Sequence, residues 1–318
     1  MLKYIVKRVL LMLLTLFIIT TICFMLVRVL PMELPTDKTE AEAIKDRWEA
    51  LGYNKPLLIQ YGIYLKNILS KWDFGTSWYI STRQGAWELI SSRLPPTILV
   101  NLYSFILSVP IGLGLGILCA VGKNKWYDYL IGVVIMLFVS VPSYVYAFLV
   151  QYLLGFKLSL FPLTVYSLSD AGGWLTPKMF YSMLPAVFAL SFGEISSLCR
   201  ITRAELGDSI TQDYMLLSRA KGMTRGQAIR KHAMRNAMVP ILPMLISAFV
   251  GIIGGSVIIE QIFSIPGVGQ LYVRSITLRD YDVFMLETIL YTFVGLLAEI
   301  AIDISYGIID PRIRIGEQ

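Results

Sequence analysis

Six stretches of about 20 mostly apolar residues recur along this chain, and each is long enough to cross the hydrocarbon core of a bilayer as a helix. They fall at roughly 9–30, 98–121, 129–154, 180–199, 238–260 and 283–307. A backbone surrounded by lipid has no water to bond, so every N–H and C=O must find its partner within the segment. That requirement predicts an all-α, polytopic membrane protein with six transmembrane helices. The second run, ILVNLYSFILSVPIGLGLGILCAVG, carries no charge at all, whereas the fourth is the weakest because Pro185 and Glu194 interrupt it. Composition agrees: 56% of the 318 residues are hydrophobic and only 16% charged, with a mean hydropathy of +0.64.

The formal net charge is +6. In a soluble chain such an excess would point to nucleic acid. Here the Lys and Arg residues instead cluster in alternate loops, as the positive-inside rule describes, and no nucleic-acid partner is expected. Lys3, Lys7 and Arg8 precede the first run, and Lys123 and Lys125 follow the second. Arg200, Arg203, Arg219, Lys221, Arg225, Arg230, Lys231 and Arg235 follow the fourth, and Arg312 and Arg314 follow the sixth. The intervening loops are poorer in bases, or balance them with acids such as Asp280 and Asp282. Both termini and the loop 200–237 are therefore expected in the cytoplasm, with 31–97 outside. The first run, Val9 to Val27, is too long for a cleaved signal core and is read as a retained span.

The outer loop 31–97 carries helical signals of its own. Thr39 and Glu42 fit a capping box, Gly52 fits a stop, and Pro56 suits the first turn of a second helix bearing Leu57, Tyr61, Tyr64 and Ile68 on one face. Trp72, Trp78 and Trp87 follow, as residues that anchor at a membrane interface. Otherwise the chain reads as one membrane domain over 1–318. Cys23, Cys119 and Cys199 form no CxxC pair and are expected to pack as small hydrophobes.

Motifs for chemistry are missing from the sequence. A phosphate-binding loop needs G-x-x-x-x-G-K followed by Ser or Thr, but around Gly122-Lys123 the first Gly is Ile117 and the hydroxyl residue is Asn124. One histidine, His232, rules out multi-histidine metal sites, and no G-x-S-x-G elbow is present. No catalytic, metal or cofactor site is expected on the chain itself. The polar residues within the runs are the candidates for a solute pathway: Asn101, Ser140, Ser143, Tyr144 and Glu194. A charge at the bilayer centre costs about 3 kcal/mol or more, so Glu194 and Glu287 must face protein or water, while Glu299 and Asp303 share one helix face near a span end. Pro110, Pro142, Pro185, Pro240 and Pro243 interrupt helical bonding. Gly112, Gly114 and Gly116, with Gly251, Gly254 and Gly255, permit close helix approach or bending.

The basic loop between the fourth and fifth runs reads DYMLLSRAKGMTRGQAIRKHAMRNAMVP over 213–240. It resembles the coupling loop of the oligopeptide/dipeptide (peptide/nickel) family of ABC importer permeases, specifically the B-type subunit. The opening MLKYIVKRVLLMLLTLF, SRLPPTILVNL (92–102), SVPSYVYAFLV (140–150), IEQIFSIPGVGQLYVRSITLRDY (259–281) and DPRIR (310–314) are similar to that family in the same order, and so cover nearly the whole chain. One departure stands out. Leu216-Leu217-Ser218 replaces the E-A-A of the broader importer pattern, so the glutamate contact of other importers is not carried over.

The resemblance implies a type I ABC importer permease fold in a bacterial or archaeal cytoplasmic membrane. It implies a homologous C-type permease as partner, two ATPase subunits that bind ATP and Mg, an extracellular substrate-binding protein, and surrounding membrane lipid. Gln212, Tyr214, Leu217, Arg219, Ala220, Lys221 and Gly222 would form the coupling segment, a short helix ended by Gly222. Peptides are the implied solute, with nickel or another small solute as the alternative. An ion-coupled secondary transporter would need midplane acids and preferably an inverted repeat, and a membrane sensor or scaffold would need neither six spans nor a basic docking loop.

Overall fold

The computed structural model describes residues 2–30, 38–50 and 52–309. It is predominantly helical. Helix α1 (Leu2–Val29) is the first apolar run. Helix α2 (Lys38–Ala50) starts one residue before Thr39, which places that threonine inside the first turn and not at the cap. Gly52 closes the following turn at φ +73, a left-handed conformation that glycine adopts without a Cβ penalty. Helix α3 (Leu57–Lys71) has Pro56 as its cap residue and buries Gln60, Tyr61 and Tyr64, leaving Leu57 exposed. A two-residue antiparallel hairpin, β1 (Thr76–Ser77) and β2 (Gln84–Gly85), pairs Thr76 with Gly85; nothing in the sequence pattern announces it.

Helix α4 (Ala86–Val121) begins 12 residues ahead of the expected position 98, running unbroken through Pro95 and Pro96. The run expected to span over 129–154 is sharply bent. Helices α5 (Trp126–Ser140) and α6 (Ser143–Val150), the latter continued by a π-helical turn over Gln151–Lys157, meet at 104°. The cause is Pro142. It has no N–H to donate and its ring drives the preceding residue out of the helical region, and Val141 indeed sits at φ −88, ψ 128. After the single turn α7 (Leu168–Ala171) comes α8 (Pro177–Ile210), capped by Thr176, whose hydroxyl accepts from Met179 N–H, and carrying Pro177 at its first position. Its 34 residues reach about 50 Å, well beyond the roughly 30 Å hydrocarbon core, so the part from Arg200 onward is a helical extension and not loop.

Helix α9 (Asp213–Ala220) and α10 (Arg225–Ala228) lead through a π-helical turn, Ile229–Ala233, into α11 (Met234–Gly251). The fifth span ends at Gly254 and not at 260. A 3-10 turn and Gly255, at φ +67, separate it from α12 (Val257–Ile262). Among the described residues nothing lies within 4 Å of where a Cβ on Gly251 or Gly254 would stand, and the two glycines end α11 and the 3-10 turn that follows it. Helices α13 (Val268–Thr277) and α14 (Tyr281–Ile309) complete the described chain; the DPRIR segment lies outside the described residues. Among the described residues, five helices are long and apolar enough to cross a membrane, six if α5–α6 counts as one bent span.

Two compact units emerge. One comprises Met1–Thr97 and Pro266–Leu297, the other Ile98–Ile265 and Ala298–Gln318. In the first, the residues around the hairpin are tied to the start of α14 by two carboxylates, Asp280 just before it and Asp282 in its first turn. Buried Asp280 accepts from Ser77 Oγ (2.7 Å) and from the N–H groups of Trp78, Tyr79 and Ile80 (3.2, 3.1 and 3.1 Å), and Asp282 accepts from Thr76 N–H (3.0 Å). These acids hold loops together, beyond the charge balance they supply. Glu287 is wholly buried in this unit, accepting from Ser275 Oγ at 3.2 Å. Trp72, Phe74 and Trp87 form one ring cluster.

In the second unit α4 and α8 run parallel in register. Ser104 meets Ser191 (3.1 Å), Ser108 meets Glu194 (2.6 Å), Gly112 faces Leu198, Gly116 faces Thr202, and Ala120 joins a cluster with Leu206. The α4 partners recur every four residues and are all small, which lets the backbones close up. A Cβ on Gly116 would stand 2.5 Å from Thr202 Cβ and 2.9 Å from the Cys199 carbonyl, whereas Gly114 faces open space. Cys119 and Cys199 are buried together with Ile135. At the same end Asp128 holds Arg203 through two bonds, Nε to Oδ1 at 2.6 Å and an Nη to Oδ2 at 2.8 Å, while also accepting from Asn124 N–H.

Candidate functional site

Two places in the second unit carry the residues singled out from sequence. The first is the platform that follows α8. Thr211 ends that helix, Gln212 turns the chain in an extended conformation, and α9 begins with Asp213 in its first turn and finishes with Arg219 in its last, each charge favourable to the helix dipole. Gly222 reverses the chain at φ +89, donating its N–H to Arg219 C=O (2.9 Å). Immediately afterwards Thr224 and Gln227 close a reciprocal capping box that starts α10.

The faces of α9 are distinct. Met215 and Ser218 are buried, and Met215 and Tyr214 pack with Ala120, Leu206, Ala228, Ile229 and Ala233. Tyr214 turns inward and not outward: its hydroxyl bonds Ser209 Oγ and the Ser209 carbonyl, and Ser209 in turn donates to Ala233 C=O at 3.0 Å. The opposite face presents Leu216, 67% exposed, and Leu217, 58% exposed, beside exposed Arg219, Ala220 and Lys221. Leu216 is the residue that sequence reasoning left out. Its signal was available, because Met215 and Ser218 at i, i+3 define an inner face that puts positions 216 and 217 outside. His232 lies in the π-helical turn with its Nε2 enclosed. Arg225 reaches back to the Val121 carbonyl, so the loop after α4 and the loop after α8 lie on the same side of this unit.

The second place is a recess between α4, α8 and α11, with a volume of about 240 Å³. Glu194, Ser108 and Ser197 supply its polar lining, and Phe105, Leu198 and Met244 are among its apolar walls. Of the pathway candidates only Glu194 lines it. Asn101 sits one turn before Ser104 on α4, while Ser140, Ser143 and Tyr144 are exposed at the α5–α6 break. Tyr146, not Tyr144, faces α8: it is buried against Phe138 and Phe192, its hydroxyl 3.0 Å from where a Cβ on Gly193 would stand. Ser104 and Ser108 were missed, although with Asn101 they repeat at helical spacing.

These features meet a known pattern. Residues 112–315 match the family model described as the binding-protein-dependent transport system inner membrane component, and residues 1–101 match the N-terminal model of the same membrane component. The chain belongs to this family. The permease is 37% identical over 316 residues to the dipeptide transport system permease protein DppB of Lactococcus lactis subsp. cremoris, covering 99% of this chain and all of the relative. It is 36% identical to the oligopeptide transport system permease protein OppB of Haemophilus influenzae, again over 99% and 100%. It is 32% identical to the glutathione transport system permease protein GsiC of Salmonella typhimurium, over 99% of each chain. The permease is thus a multi-pass membrane transport subunit.

Proposed function

We propose that this permease forms half of the membrane pathway of an ATP-driven ABC importer for dipeptides or oligopeptides, delivered by an extracellular binding protein and moved by alternating access. The reading rests on the relatives' peptide and glutathione transport, and above all on α9. A short helix standing outside the spans, braced on its inner face and bearing two exposed leucines beside Arg219 and Lys221, is suited to insertion into a groove of an ATPase subunit. Two ATPases, which supply ATP and Mg chemistry, would serve this chain and a homologous C-type permease. The arginine-rich side that carries α9 is then cytoplasmic, as are both termini, and 31–97 faces outward.

Crosslinking and uptake test the docking role. A cysteine at Leu217 is expected to crosslink to an ATPase subunit. Gly222→Pro removes the N–H given to Arg219 and forbids the positive φ; Arg219→Glu reverses a charge on the outer face. Both should lower uptake per membrane-inserted complex while abundance stays near normal. Gly222→Ala, with open space at its Cβ, should be milder, at about 1 kcal/mol of backbone strain. Normal uptake in Gly222→Pro and Arg219→Glu with no crosslink from Leu217 would remove α9 from the coupling.

A further inference from the structure

The recess between α4, α8 and α11 has one charged residue on its wall, Glu194. A carboxylate in a membrane segment is costly against lipid, so this wall faces water or protein. Ser108 donates to Glu194 Oε2 at 2.6 Å, which fixes the direction of the carboxylate. Phe105, Val109, Leu198 and Met244 surround it with apolar surface that lowers the local dielectric and strengthens attraction for a cation. The volume of about 240 Å³ falls a little below the ~300–1,000 Å³ of complete ligand pockets, as suits a subsite for one end of a larger solute.

We propose that this recess is a cation subsite in which Glu194 receives a primary ammonium group of the transported solute, the amino terminus in the case of a peptide. This rests on the importer reading above and adds the chemistry by which the membrane pathway itself selects. The apolar wall accommodates the carbon skeleton beside the ammonium, and a solute carrying an anion at that end is repelled by Glu194.

The test uses the complete importer in proteoliposomes, carrying Ser197→Cys on the recess wall, with Glu194 intact or replaced by Glu194→Gln. Reaction rates are measured with a trimethylammonium-ethyl and a sulfonatoethyl methanethiosulfonate, and the reaction of Cys23, Cys119 and Cys199 is subtracted using the chain without Ser197→Cys. The ratio of cationic to anionic rate should be about tenfold higher with Glu194 than with Gln at 194. Dialanine uptake should lose about tenfold in kcat/KM in Glu194→Gln, with the binding protein's affinity for dialanine unchanged. An unchanged rate ratio overturns the subsite. So does a Ser197→Cys thiol that neither reagent reaches with or without ATP, the result expected where a partner subunit fills the recess. If the unaltered complex moves neither dialanine nor a longer oligoalanine, the peptide reading falls, while the thiol rates still decide whether Glu194 makes a cation site.

Discussion

The first span and α8 make an instructive pair. The window Ile5–Val29 is the more apolar, with a mean hydropathy of 2.8, yet only 17% of it is buried within the chain. The helix Pro177–Ile210 is the least apolar candidate span, at 1.4, and 56% of its window is buried. The order is reversed because hydropathy reports what a helix needs in order to face lipid. A helix wrapped by its own protein is free of that demand, and can carry Ser182, Ser191, Ser196 and Thr202 on buried positions where neighbouring helices satisfy or enclose them. Glu194 sits on this helix, where it bonds Ser108 of α4 instead of facing lipid. The span that looked weakest in sequence is therefore the one on which the second unit is assembled.

The largest expected effect probes the contact that sustains this difference. Gly116→Leu would drive a side chain into Thr202 and the Cys199 carbonyl, both less than 3.0 Å from the new Cβ. Backbone cannot give way as a flexible side chain can, so the loss should reach or exceed the ~1–3 kcal/mol typical of overpacking. Gly114→Leu, two residues away and facing open space, should cost nothing measurable. Midpoints of thermal unfolding in detergent compare the two. Equal tolerance of both substitutions would mean that α4 and α8 do not pack closely, and the contrast with α1 would lose its basis.

Much of this was legible in advance, and the failures have physical causes. Long apolar runs located α1, α4, α8, α11 and α14 because a bilayer imposes length and polarity directly. The stop at Gly222 was readable because a positive φ has few alternatives to glycine. Pro142 was recognised as an interruption, but the 104° turn was not, since proline states that a helix breaks and not in which direction the chain leaves. The roles of Asp280 and Tyr214 were hidden for another reason. Asp280 is held by N–H groups some 200 residues earlier in the chain, and Tyr214 by a serine that turns it inward, and neither partner is marked by local pattern. The recess was half seen: Glu194 was conspicuous as a charge, while Ser108 was inconspicuous until α4 and α8 were known to run in register.

A smaller effect sharpens the comparison at the end of α8. Asp128→Asn would replace a carboxylate that takes two bonds from Arg203 and one from Asn124 N–H. Removing one partner of a fully buried pair costs about 3–5 kcal/mol. The Arg203 side chain is 44% exposed and can turn to water, so a loss nearer about 1–2 kcal/mol is expected. Asp128→Asn combined with Arg203→Gln should recover part of it. A double mutant no better than the sum of the single changes would show that the two residues act independently.

The smallest expected effect lies on α1. Leu13 and Leu14 are about half exposed, as is Leu10 nearby, and neither leucine belongs to a core cluster among the described residues. Leu14→Val keeps the segment apolar and long enough to span, so stability and uptake should stay within about 0.5 kcal/mol of the unaltered protein. The informative measurement is copurification with the proposed C-type permease, made alongside membrane insertion. Normal insertion with undiminished copurification fits a face that meets lipid, where one branched aliphatic residue serves as well as another. Normal insertion with lost copurification would show that this face packs on protein, because only a fitted interface registers the loss of one methylene. In that case the low burial of α1 would reflect a missing subunit, and its high hydropathy would need a different explanation from the one that separates it from α8.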